Sequence, residues 1–171
     1  SEAAVRLAIE TGYRHIDTAA MYGNEAGVGL AVRACGLPRS SLFVTTKLWN
    51  AEARAGKQQE AFEKSIETLG LDYVDLYLLH WPVPGFVESW KILEAILASG
   101  RAKAIGVSNF QPHHLEALLP HAKVVPAVNQ VESHPYLAQN ELLAYCASKG
   151  IACQAWRPLG GRNTTLLDDP V

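Results

Sequence analysis

The apolar positions of this chain keep changing period. Stretches in which they recur every three or four residues alternate with short, nearly continuous apolar runs, and glycines fall at the changeovers. A helix over 2–11 ends at Gly12 and leads into a strand over Tyr13–Asp17. Asn24 is placed to cap a helix whose apolar face is Val28, Ala31, Val32 and Cys35, and Gly36 stops it. The next strand is predicted over Leu42–Thr46. The next helix covers Gln58–Leu69, with Phe62, Ile66 and Leu69 on one face and Gly70 at its end. Val74–Leu79 is the kind of apolar run that a strand buried on both faces requires. The alternation continues with a helix over Phe86–Ser99 closed by Gly100, a strand over Ala104–Val107 and a short helix opened by Pro112. A strand over Val124–Val131, a helix over Asn140–Ser148 closed by Gly150, and a strand over Ile151–Trp156 complete it.

Strands separated by helix-length crossovers form a parallel sheet, either open and doubly wound or closed into a barrel. A doubly wound dinucleotide fold carries G-x-G-x-x-G at a strand-to-helix turn. The candidate here, Gly27-Val28-Gly29, has Val32 where the third glycine belongs and reads as helix packing. That favours an α/β architecture of the (β/α)8 TIM-barrel type, which gathers its chemistry at the C-terminal ends of the strands. Taken in turn, those ends carry Asp17, Lys47, His80, Ser108 with Asn109, Gln130 and Trp156.

Composition narrows the partners. The 171 residues, 49% hydrophobic and 19% charged, suffice for one core and one domain over 1–171. A formal charge of −2 gives no footprint for nucleic acid or an anionic membrane surface, which leaves small molecules. No apolar run approaches the roughly 20 residues needed to cross a bilayer, so the expected location is cytoplasmic. Cys35, Cys146 and Cys153 are odd in number and lack C-x-x-C spacing, as expected of reduced core thiols, and no metal site is predicted.

Singly, each strand-end residue has an ordinary structural reading. Asp17 can be a turn residue, Lys47 a solvated cation, His80 a core histidine, Ser108-Asn109 a cap, Gln130 a surface amide and Tyr22 packing at a helix entrance. Together they carry a resemblance. GYRHIDTAAMYGNE at Gly12–Glu25, TTKLWN at Thr45–Asn50, LGLDYVDLYLLHWP at Leu69–Pro82, IGVSNF at Ile105–Phe110 and NQVESHPYL at Asn129–Leu137 resemble the aldo-keto reductase family, in order and at barrel spacing. The resemblance implies reduction of aldehyde or ketone carbonyls to alcohols with NADP(H), bound in extended form to a barrel without a Rossmann motif. It implies a catalytic tetrad of Asp17, Tyr22, Lys47 and His80, and a cofactor site at Ser108, Asn109, Gln130, Trp156 and Arg157. Met21, Trp49 and Trp81 would wall the substrate pocket of a monomer. Two alternatives stand beside it: a barrel of the same family that senses cofactor with little turnover, and an unrelated barrel using Lys47 for Schiff-base chemistry.

Measured against the family, the chain holds strands 2 to 7 of the barrel and lacks the first strand, the eighth unit and the basic motif for the cofactor's 2′-phosphate, so NADP(H) is an expectation of the resemblance alone. Trp156-Arg157-Pro158-Leu159 stands where the family most often has Tyr-Ser-Pro-Leu; tryptophan keeps the stacking surface, and Arg157 is the larger departure. Short or abrupt joins suggest segments missing from the chain near 85–86 and 160–166. The chemistry implied by the tetrad is electrostatic. A phenol with a pKa near 10 is a reluctant proton donor at neutral pH. An ammonium about 4 Å from the phenol oxygen favours the phenolate by about 4 kcal/mol at an effective dielectric of 20. In a partly buried barrel mouth that ammonium needs a counter-charge, the part given to Asp17, while His80 donates a hydrogen bond to the substrate oxygen.

Overall fold

The structure, a computed structural model, describes residues 1–161 and 166. Helix α1 (Glu2–Glu10) leads into β1 (His15–Asp17), and a 3-10 turn at Ala20–Tyr22 precedes α2 (Glu25–Ala34). Next come β2 (Phe43–Leu48), α3 (Asn50–Arg54), α4 (Gln58–Leu69), β3 (Val74–Leu79), α5 (Phe86–Ala98), β4 (Ala102–Ser108) and α6 (Pro112–Leu118). The series closes with β5 (Val128–Glu132), α7 (Asn140–Ser148) and β6 (Ala152–Trp156). The six strands pair in parallel in the order β1-β2-β3-β4-β5-β6, each neighbour following the last in sequence.

The sheet is curled. Asp17 on β1 accepts a hydrogen bond of 2.7 Å from Gln130 on β5. In a flat sheet, four strand spacings would hold them about 19 Å apart. This is an incomplete (β/α) barrel, with helices outside and a polar interior at one rim: the alternation predicts its parallel sheet, and the missing Rossmann glycines and the family resemblance its barrel form. Period 2 sorts each strand: Val44, Thr46 and Leu48 on β2 face the helices, and Thr45 and Lys47 face the interior. The outer layer is a continuous core in which Phe62, Ile66, Leu69, Trp90, Leu93 and Leu142 are buried against the sheet. Gly29 lets α2 approach α4: a Cβ there would lie 1.9 Å from the Leu69 carbonyl oxygen. The glycine pair in α2 therefore serves packing.

Element ends shift from the sequence reading by one to four residues, and three differences stand out. The strand expected over Val124–Val131 begins only at Val128. Pro126 cannot donate to a ladder, and the segment before it is held from α5, with Glu94 Oε1 accepting from Lys123 N (2.6 Å) and Val124 N (2.9 Å). The strand at Tyr13–Asp17 shortens to His15–Asp17, and α3 directly follows β2 with no periodicity to announce it. Of the joins singled out in the sequence, 162–165 lie outside the described residues; Gly85, left-handed at φ 86°, opens α5. Cys35, Cys146 and Cys153 are free thiols.

Candidate active site

The interior rim is built around one buried cation. Lys47 is 1% exposed, among the largest fully buried side chains of the molecule. Burying an ammonium costs several kcal/mol unless its protons are placed. Here Lys47 Nζ donates to Asp17 Oδ1 and, at 3.0 Å, to the Thr18 carbonyl. The second carboxylate oxygen, Oδ2, is the one that accepts from Gln130 Nε2. Tyr22 ends the 3-10 turn, which Gly23 closes in the left-handed conformation. The loop is clasped across its base by Thr18 Oγ1 donating to Asn24 Oδ1 at 2.6 Å. This leaves Tyr22 half exposed, with Lys47 Nζ 5.1 Å from its ring centroid.

His80 follows β3 and is fixed through its backbone: its N–H donates to the Leu48 carbonyl (3.2 Å) and its carbonyl accepts from Asn109 Nδ2 (3.0 Å). Its ring meets Tyr22 and Trp49 edge-on, at 5.8 and 5.2 Å between centroids. Burial pushes its pKa down to about 4, with the Lys47 charge acting the same way and Asp17 opposing. The imidazole is therefore neutral at physiological pH. Its Nδ1 is buried with no hydrogen-bond partner among the described residues. An unpaired buried N–H costs more than an unpaired lone pair, so the proton belongs on Nε2, the nitrogen left for the cleft.

The residues predicted to hold a nicotinamide group meet at the ends of β4, β5 and β6. Asn109 is left-handed at φ 64°, a conformation asparagine tolerates. Its side chain is spent within the protein: Nδ2 donates to the His80 carbonyl and to Ser108 Oγ, and Oδ1 accepts from Trp156 Nε1 at 2.9 Å. Ser108 Oγ donates to the Gln130 carbonyl at 2.7 Å. Gln130 Oε1 accepts no bond from the described residues. Arg157, also left-handed, holds its guanidinium 5.4 Å from the Trp156 ring.

These side chains border an open cleft of about 660 Å³. All the predicted site residues line it except Asp17 and Lys47, and Met21 and Trp81 stand exposed at its mouth. Sequence reasoning missed Asn50, which also lines the cleft, and the Thr18–Asn24 clasp. Asn50 ends the TTKLWN motif and Thr18 directly follows Asp17, so position within the motifs was the available signal. Among the described residues, no group of three His, Cys, Asp or Glu side chains could hold a metal ion, and no helix is long and apolar enough to cross a membrane.

A nicotinamide cofactor can be tested against this chemistry. Its carboxamide needs an acceptor for the NH2 and a donor for the carbonyl; Gln130 Oε1 is an open acceptor at the cleft wall, and Ser108 Oγ can donate to the carbonyl by turning its one proton from the Gln130 carbonyl, with the Trp156 ring as stacking surface. The residues present fit the group.

Residues 1–168 match the Aldo/keto reductase family. Two proteins of Bacillus subtilis are similar over 98% of the chain: an uncharacterized oxidoreductase, YtbE, at 54% identity over 61% of its own length, and a glyoxal reductase at 50% identity over 60% of its length. The chain thus spans about three fifths of these relatives. The crystal structure of an aldo/keto reductase from Brucella melitensis superposes with a TM-score of 0.93 at 46% identity, covering 99% of this chain and 64% of that one.

Proposed function

The chain belongs to the aldo/keto reductase family, and on that premise we propose that the protein reduces small aldehydes, glyoxal-like dicarbonyls among them, to alcohols with NADP(H), using Tyr22 as the proton donor. The working form in this reading is a cytoplasmic monomer. The observation that carries it is the buried Lys47 ammonium, paired to Asp17 and set beside the Tyr22 ring at the end of an open cleft.

The cofactor, when bound, supplies a hydride to the carbonyl carbon. The protein's own groups handle the oxygen. Tyr22 gives its hydroxyl proton to the oxygen as charge develops there, and Lys47 stabilises the phenolate left behind. Asp17 supplies the counter-charge that a buried ammonium requires. Neutral His80 offers Nε2–H to the same oxygen, which orients the carbonyl without adding a second cation. Trp49, Trp81 and Met21 bound the space left for the substrate, while Gln130 Oε1 and Ser108 Oγ fix the nicotinamide ring face through its carboxamide, Asn109 adding only the second lone pair of its Oδ1, and Trp156 and Arg157 flank it. Lys47 is a poor candidate for imine chemistry: its amine is buried and already donates to two acceptors.

The test is cofactor oxidation by the full-length protein with glyoxal and simple aldehydes. Tyr22→Phe is expected to lower kcat about a thousandfold or more, with cofactor affinity within about twofold of wild type, since Tyr22 makes no carboxamide contact in this reading. A Tyr22→Phe variant that stays fully active would remove the mechanism.

A further inference from the structure

Asp17 sits on β1, which has three residues and lies at the edge of the described sheet. Its side chain is about one-third exposed, so packing does not fix the carboxylate. Two hydrogen bonds do, arriving from different strands: Lys47 on β2 takes Oδ1 and Gln130 on β5 takes Oδ2. Gln130 is held far more firmly. It is 4% exposed, and its backbone carbonyl accepts from both Ser108 Oγ (2.7 Å) and Asn109 N (2.9 Å).

We propose that Gln130 is a positioning residue that couples the carboxamide end of the cofactor site to the Asp17–Lys47 pair. This rests on the nicotinamide reading above and adds a link to it. The amide is one rigid plane carrying a donor and an acceptor. Its Nε2 holds the tetrad carboxylate, and its Oε1, turned from that bond, is the acceptor left for a carboxamide NH2. A partner on Oε1 fixes the plane, and so fixes the direction from which Asp17 is held. By linkage, the Asp17 bond must favour carboxamide binding by the same factor. Lys47 would be oriented toward Tyr22 more sharply once the cofactor is in place. The charged or titratable groups around this junction are His15 and Asp17 on β1, Lys47 on β2, His80 after β3, Tyr22, and Arg157 beyond β6.

The experiment compares full-length wild type with Gln130→Met and Gln130→Glu. Cofactor affinity is read by quenching of tryptophan fluorescence, three of whose sources border the cleft, and kcat and kcat/KM are followed across pH at saturating cofactor. Gln130→Met, which keeps the length and removes both amide groups, is expected to weaken cofactor binding about tenfold and to displace the kcat pH profile even at saturation. Gln130→Glu sets a second carboxylate against Asp17. It should bind cofactor poorly at neutral pH and recover as the pH falls, because a protonated carboxyl donates to Asp17 as the amide does. A residue that only held the carboxamide would change affinity and leave the saturated kcat profile in place. That result, or a Gln130→Glu deficit independent of pH, overturns the coupling while leaving the reductase reading intact. If wild type binds no nicotinamide cofactor and reduces no carbonyl, both readings fall.

Discussion

Neighbouring residues on β2 anchor two different carboxylates, one partly exposed and one buried. Lys47 faces the interior and pairs with Asp17; Thr46 faces the helices and donates its hydroxyl to Glu25 Oε1 at 2.6 Å. Glu25 takes a second hydroxyl, from Ser65 on α4 at 3.3 Å, and has no ion pair among the described residues. One carboxylate is therefore held by a cation that can act on a third group, and the other by hydroxyls that cannot. A carboxylate bonded to hydroxyls from two elements ties α2, β2 and α4 together. A carboxylate bonded to an ammonium tunes a charge. The same strand, one residue apart, thus supports structure on one face and chemistry on the other.

The sharpest way to break that contrast is Lys47→Met. It removes the cation and keeps most of the buried volume, so kcat is expected to fall about a thousandfold or more. The stability cost should be modest, because the desolvation of the ammonium is relieved and Asp17, partly exposed and still bonded to Gln130, can be rehydrated. Thermal unfolding measured beside turnover checks both halves. A variant that unfolds in parallel with its loss of activity would mean that the pair is structural, like Glu25.

The next effect is on pH. His80 shares the interior face, and its pKa is lowered from 6.5 to about 4, chiefly by burial. Between those values the unfolded chain binds a proton at this site that the folded protein does not. Its contribution to stability is therefore fully present above pH 6.5 and is lost as pH falls toward about 4. The rate follows the folded value: kcat/KM should show no break near 6.5 from this group and should lose the neutral imidazole only near pH 4. Comparing the profile of His80→Gln with wild type isolates its share.

How much of this could be read in the sequence also differs between the two faces. The strand and helix order followed from period and glycine placement, because those are local. Asp17, Lys47, His80, Ser108, Gln130 and Trp156 could be placed on one rim because side chains alternate along a strand and parallel strands end together. The bond from Gln130 to Asp17 could not, since it joins residues 113 positions apart and depends on how tightly the sheet curls. Asn109 illustrates the same limit. Its place beside the cleft was legible, whereas the spending of its amide on His80 and Trp156, beside its neighbour Ser108, required two other strands to be in position. On the helix face, Glu25 stands in the first turn of α2, where local pattern carries no sign of burial, and the folded arrangement of Thr46 and Ser65 shows it buried.

Glu25→Gln is the smallest and most discriminating change. It removes a charge without removing shape, and one amide oxygen can still accept from Thr46 or Ser65. What it loses is a charge-assisted hydrogen bond, and it gains an NH2 facing a hydroxyl that must turn to accept, a net cost of about 1 kcal/mol. Denaturant midpoints should shift by that amount at unchanged slope, while kcat and KM stay within about twofold, because no atom of Glu25 is bonded to the groups that would hold substrate, cofactor or Lys47. Should kcat fall well beyond twofold, the clasp on α2 would be reaching Tyr22 through the loop that Thr18 and Asn24 close. The two faces of β2 would then be one mechanical unit.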